Sequence, residues 1–495
     1  MSVATEFDLG SHSGGLRRKF LSNSGSMLLG NLIAQPLLLL ATLLWARLLG
    51  PAQFGVYSFA FTLATLGGLV AGLGTDNILV REMSLHGHHK SALLGAALWL
   101  RCAAAVVVAA ALVELTFAIG YAEPFRRATV YAAPYVLAVT LWYLEEAFFK
   151  SSLELRVAAQ VRVAARLLLL AGIAGLWLLP RAMSCADALL VTAAAQLLPL
   201  SMVLPAILRR ARPRFRAAGE FCRLLLREGW PLALSDVLVV LFVRLDVLFL
   251  SRMSSASSVG EYYAAARLAE GLGAVALASQ ATALPLLSQA FSRRDTAAFA
   301  HVCQIALELP MLAIVPACLV VTAVAGDLLR LLYGPAYAAA APALKVLFWG
   351  AFGGLGYVLA TTLLIAASRQ RTCVLLSLLA LATTAGLSPW LIPHWGALGA
   401  AMASAAALAS NLVWMLTRPA WRPLLAAMLR ALRVPGLAAL PMLGVLLGVP
   451  AAWYVRVTGG LLLYAAGVYL LRHWVHGQPP ELSGLFPVPT PGTPS

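Results

Sequence analysis

Charge is what this sequence has least of. Only 11% of its 495 residues are Asp, Glu, Lys or Arg, against about 25% in ordinary soluble domains. That excludes a water-solvated globular surface. Acidic residues are the scarcer sign, with 20 Asp and Glu against 36 Lys and Arg. In a soluble chain the net charge of +16 would suggest nucleic acid. Here the arginines gather in alternate loops, so no nucleic-acid partner is expected. Cysteines are few and scattered (102, 185, 222, 303, 318 and 373) with no paired spacing, which excludes a disulfide framework or a zinc site and leaves small buried hydrophobes. No large polar domain interrupts the chain. Residues 1–25 carry Arg17, Arg18 and Lys19 and lead into a helix without an A-x-A site, so no cleavable signal peptide is expected.

What is abundant is apolar length. Hydrophobic residues make up 61% of the chain, and its mean hydropathy is +0.85. Runs of about 20 apolar residues, enough to cross a bilayer, recur from end to end. Fourteen can be counted, from 26–49 to 451–472. The fold class expected is therefore an all-α polytopic membrane protein. Basic residues cluster in every second loop: Arg81 and Lys90, Lys150 and Arg156, Arg209 to Arg227, Arg293 and Arg294, Arg369 and Arg371, Arg418 to Arg433. The positive-inside rule then puts both termini in the cytoplasm, which needs an even number of spans.

An internal repeat is visible at an offset of 205 residues. Arg47 matches Arg252, Gly55 matches Gly260, Tyr57 matches Tyr262, and Asn31 falls opposite Asp236. Six spans per copy make the repeats parallel. The expected organisation is a cytoplasmic N-terminal segment (1–25), an N-lobe (26–208), a basic cytoplasmic linker (209–228), a C-lobe (229–417), spans 13 and 14 (418–472), and a proline-rich disordered cytoplasmic tail (473–495). The linker reads as an amphipathic element resting on anionic membrane lipid.

The stretch from Gly229 to Gly273 carries charges inside two apolar helices: Asp236, Arg244, Asp246, Arg267 and Glu270. A charge at mid-bilayer costs about 2.5–3.5 kcal/mol even on insertion scales. Counting about 1.5 Å per residue, Arg101, Arg166, Arg244 and Arg267 fall near the bilayer middle, two in each lobe. Guanidinium forks match phosphate, so these four are expected to form a cationic lumen between the lobes for a phosphate-bearing substrate. The competing reading pairs them with Glu114, Asp236, Asp246, Glu270 or Glu308 as braces between helices. Asp236, Asp246 and Glu270 are candidates for coupling to Na+ or H+. Asp76, Glu145, Glu146 and Lys345 lie near helix ends, where interfacial anchoring is expected. The HGHHK run from His86 to Lys90 fixes no metal geometry, and neither a metal nor another cofactor is expected.

Several stretches together carry a family resemblance. The opening NSGSMLLGNLIAQPLLLLATLLWARLLGPAQFGVYSFAF, the hairpin with Asp246 and VGEYYAAARL, ALPLLSQAF, YGPAYAAAAPALKVL and HWGALGAAMAS resemble polysaccharide-biosynthesis flippases. These belong to the multidrug/oligosaccharidyl-lipid/polysaccharide exporter superfamily. The resemblance covers roughly residues 20–420. It implies a two-lobed transporter of the bacterial inner membrane that works by alternating access. The cargo it implies is a polyprenyl-diphosphate-linked oligosaccharide for surface polysaccharide, O-antigen or exopolysaccharide synthesis, with polysaccharide polymerase or ligase proteins as partners. It does not supply the four arginines, which rest on depth alone. A drug exporter of the same superfamily is the nearest rival, although cationic drugs call for an acidic lumen. A membrane polysaccharide ligase or glycosyltransferase would need a long outer loop or catalytic carboxylates outside the membrane. The outer loops here are short, so an enzyme is not expected. A non-transporting scaffold of a polysaccharide-synthesis complex is the remaining reading.

Overall fold

The structure is a computed structural model. It describes residues 13–474 except 86–89, 181, 212, 214–217, 294, 368 and 419–420. The three histidines of the HGHHK run, a small part of the basic linker, the start of the N-terminal segment and the proline-rich tail lie outside the described residues. The described residues are helical with no strand: α1 Ser13–Gly72, α2 Asp76–Leu85, α3 Lys90–Ala118, α4 Glu123–Ser151, α5 Leu155–Trp177, α6 Cys185–Ala211, α7 Ala218–Met253, α8 Ala256–Ser292, α9 Thr296–Tyr333, α10 Ala341–Ala366, α11 Gln370–Leu416, α12 Arg422–Ala431, α13 Arg433–Gly448 and α14 Trp453–Trp474. A 3-10 turn, Pro335–Ala340, precedes α10.

Local chemistry sets many of the boundaries. The Ser255 and Asp295 side chains accept the backbone N–H of Ser258 and Ala298 at the starts of α8 and α9, satisfying orphan donors of the first turn. Pro124 stands in the first turn of α4, where no intrahelical N–H is needed. Two helices are double length. Helix α1 bends at Gly50 (φ 70°) and α11 at Gly396 (φ 50°, ψ −123°), backbone conformations that a Cβ strongly disfavours. Among the described residues, ten helical stretches are long and apolar enough to cross a membrane. Two of these are the kinked pairs, and α4 and α7 are further long helices that do not meet that criterion. The described residues thus form a polytopic all-α membrane protein. Its surface is correspondingly apolar, with Trp177, Met202, Leu440 and Leu462 exposed.

The chain divides into two compact units, 1–241 and 242–495, with the division inside α7. In the first, α4 is the central helix and packs on α1, α3, α6 and α2. Its core joins Leu79 and Met83 of α2, Leu93 and Leu94 of α3, Leu144 and Phe148 of α4, Ile207 of α6 and Leu225 of α7. Arg81 of α2 also pairs with Glu228 of α7 at 2.5 Å. In the second unit α10 is central, against α8, α9 and α11. The α13–α14 hairpin packs on α9 through Val315, Ala438, Met442, Leu446 and Tyr464.

The repeat has a physical signature inside each unit. The Tyr57 hydroxyl lies 3.1 Å from Thr192 Oγ1 of α6. The repeat-equivalent Tyr262 hydroxyl lies 3.2 Å from Ser404 Oγ of α11. In both copies the Gly-x-Tyr tyrosine ties the helix after the turn to a hydroxyl on the last helix of its lobe.

Candidate functional site

Helical spacing explains how the second unit gathers its charges. Arg244 and Asp246 are two residues apart on α7, so they leave the helix on different sides. Arg244 reaches α8, where its Nη1 donates to Glu270 Oε1 at 2.6 Å. Arg267 is three residues before Glu270, on the same face of α8, and its Nη1 donates to Glu270 Oε2 at 2.8 Å. Tyr263, one turn earlier, accepts from Arg267 Nη2, and the guanidinium carbon stands 4.8 Å over its ring. One carboxylate therefore serves two guanidiniums, and the cluster keeps a net positive charge. Its members are part-exposed: 21% for Arg244, 17% for Arg267 and 36% for Glu270.

Asp246 takes the other side of α7 and is buried. Its Oδ1 accepts the Val247 N–H at 2.7 Å, and its Oδ2 accepts from Tyr262 and from Ser404 Oγ at 3.1 Å. Both oxygens are thus occupied, and α7, α8 and α11 are tied at one point.

In the first unit Arg101 is wholly buried, at 0% exposure. Its Nε and Nη2 donate to Thr75 Oγ1 at 3.1 and 2.7 Å. Nη2 also pairs with Asp76 at 2.5 Å, and Nη1 reaches the Thr140 carbonyl at 3.3 Å. Here the guanidinium joins α2, α3 and α4. Arg166 is half-buried on α5. Arg162, one turn before it, donates to Asn31 of α1 and pairs with Glu146 at 3.0 Å, which also holds Lys150 at 2.9 Å. Asp236 is exposed on α7.

The structure thus brings Arg244, Arg267 and Glu270 into one cluster. Arg101 and Asp246 each stand in a separate network, and Arg166 and Asp236 lie elsewhere in the first unit. Interfacial anchoring fails for Glu145 and Glu146. Glu145 is 2% exposed and Glu146 is buried, because α4 is the central helix of its unit and even its end is covered by α3 and α6. Sequence reading passed over Asn31, Tyr262, Tyr263 and Ser404 as site residues. The signal that reaches two of them is the repeat, which pairs Asn31 with Asp236 and Tyr57 with Tyr262.

The arrangement of kinked membrane helices in two units is the fold of the MOP-superfamily transporters. The lipid II flippase MurJ, in an inward closed conformation, shares 14% sequence identity and superposes with a TM-score of 0.69 over 91% of this chain and 99% of its own. An inward-facing multidrug resistance transporter of the MATE family, in the MOP superfamily, is 15% identical with a TM-score of 0.61 over 80% of this chain and 94% of that one. A MOP-superfamily transporter from Pyrococcus furiosus, described as having a binding pocket of reverse polarity that suggests a different function, is 14% identical with a TM-score of 0.53, covering 83% and 94%. A profile described as MatE matches residues 231–390. No curated protein matches the sequence. A second profile, described as polysaccharide biosynthesis protein, matches residues 20–291. The chain belongs to the polysaccharide biosynthesis protein family.

Proposed function

We propose that this protein is a flippase that carries a polyprenyl-diphosphate-linked oligosaccharide from the inner to the outer leaflet of the bacterial inner membrane, by alternating access, for surface polysaccharide synthesis. Family membership and the MOP fold support transport. The observation that carries the anionic cargo is the Arg244–Glu270–Arg267 cluster. Two forked cations share one part-exposed carboxylate within membrane helices. An incoming pyrophosphate can take the place of Glu270 on either fork, gaining bidentate, charge-assisted hydrogen bonds. Release follows when the site opens to water, because hydration restores what the arginines supplied. The pocket polarity noted for the Pyrococcus furiosus relative makes charge a natural point of divergence among such transporters.

In this reading Arg166 is a further contact on the path. Arg101 takes part only after Thr75 and Asp76 let it go, because this conformation encloses it completely. Asp236, exposed, is the carboxylate best suited to Na+ or H+ coupling. Both oxygens of Asp246 are already engaged. The membrane-localised polymerase or ligase of the same glycan is the partner expected at the outer leaflet, and no catalytic step belongs to this chain.

The test is binding of a polyprenyl-diphosphate-linked oligosaccharide to purified full-length protein. Arg244→Ala and Arg267→Ala should each weaken binding about tenfold or more, the equivalent of roughly 1.4 kcal/mol. Asp236→Asn should spare binding and abolish the response of transport to an imposed ion gradient. Unchanged affinity in both arginine variants removes the cationic site, and gradient-driven transport that persists in Asp236→Asn removes that residue from coupling.

A further inference from the structure

The second unit holds a cleft that the transport reading leaves unused. It has a volume of about 560 Å³ and lies among α9, α10 and α11. Its walls are small and apolar, including Gly353 of α10 and Ala405 and Ala409 of α11. Trp349 lines it and donates from Nε1 to Thr322 Oγ1 of α9 at 3.0 Å, which fixes the indole in place. Lys345 also lines the cleft, and it makes no hydrogen bond or ion pair among the described residues. It stands one turn into α10, about 6 Å along the axis from the helix start, near a helix end as anchors at a membrane interface are. Tryptophan and lysine are the residues that anchor at that level.

The two ends of the cleft have different chemistry. One is a cation without a carboxylate partner among the described residues, near the start of α10, and the other is an apolar furrow further along that helix. The cleft is open along one side, so a lipid acyl chain can enter it laterally. A lone ammonium favours a phosphate that carries net negative charge over one neutralised by its own choline.

We infer that this cleft is a binding site for one anionic glycerophospholipid, with an acyl chain in the furrow and its phosphate on Lys345. The site is independent of the cargo. Ser404 adjoins Ala405 in sequence and reaches Asp246 and Tyr262, so the same turn of α11 joins the cleft wall to that network.

Native mass spectrometry of the full-length protein, with phosphatidylglycerol and phosphatidylcholine of identical chains in competition, tests the site. The wild type should retain one phosphatidylglycerol with about tenfold preference, and Lys345→Gln should bring the ratio close to one. Gly353→Leu should lose the retained lipid altogether. An added Cβ at Gly353 meets no atom within 4 Å, so the new side chain fills the furrow without a backbone clash. Lys345→Gln adds no bulk and decides the question even if Gly353→Leu does not fold. Equal retention of the two lipids by the wild type overturns the inference, as does an unchanged preference in Lys345→Gln. Displacement of the lipid by an equal concentration of polyprenyl phosphate also overturns it.

Discussion

At the scale of single residues, membrane burial makes every polar partner count. Arg101 is the clearest case, because no part of it touches solvent and Thr75 Oγ1 receives two of its donors. Replacing Thr75 by Val keeps the shape and leaves those donors unmet. The expected cost is about 1–3 kcal/mol, read as a lower melting temperature of the purified protein, and Arg101→Ala should cost more by stranding Asp76. A Thr75→Val protein that melts with the wild type would show that the buried guanidinium finds other partners. The arginines could be recognised in the sequence because charge in an apolar run is conspicuous. Their partners could not. Depth counts along one helix are silent about rotation, and rotation sends Arg244 to Glu270 while Asp246, two residues on, meets Tyr262 and Ser404.

At the scale of elements, the kinks and the tyrosine ties organise the helices. Gly396 holds φ 50° and ψ −123°, a region nearly closed to other residues, and an added Cβ would stand 3.2 Å from Ser258 Oγ. Gly396→Ala should therefore destabilise by about 1–3 kcal/mol; thermal unfolding in detergent measures it, and a melting temperature within error of the wild type would mean that α11 does not need this kink. The equivalent ties Tyr57–Thr192 and Tyr262–Ser404 show why the Gly-x-Tyr order repeats. In each copy the glycine and tyrosine sit where a helix begins after a turn and must meet the last helix of its lobe. Pattern alone found the tyrosines, while the hydroxyls that receive them lie more than a hundred residues away and follow no period.

At the scale of the whole molecule, the arginine-rich loops are expected to lie in the cytoplasm. Fusions truncated after Arg210 should give fluorescent cytoplasmic green fluorescent protein, and fusions truncated after Pro180 should give active periplasmic alkaline phosphatase. The reverse pattern would invert the flippase direction proposed above. The sequence by itself determined the all-α polytopic membrane class and showed charged side chains inside apolar runs. These follow from hydropathy and spacing along the chain, which oil and water read locally. Only the tertiary structure decided that Arg101 is sealed in, that Glu145 and Glu146 are core residues, that Glu270 joins two arginines, and that Lys345 opens onto an apolar cleft. Those outcomes depend on which faces of distant helices pack together, and no short-range pattern in the chain records that.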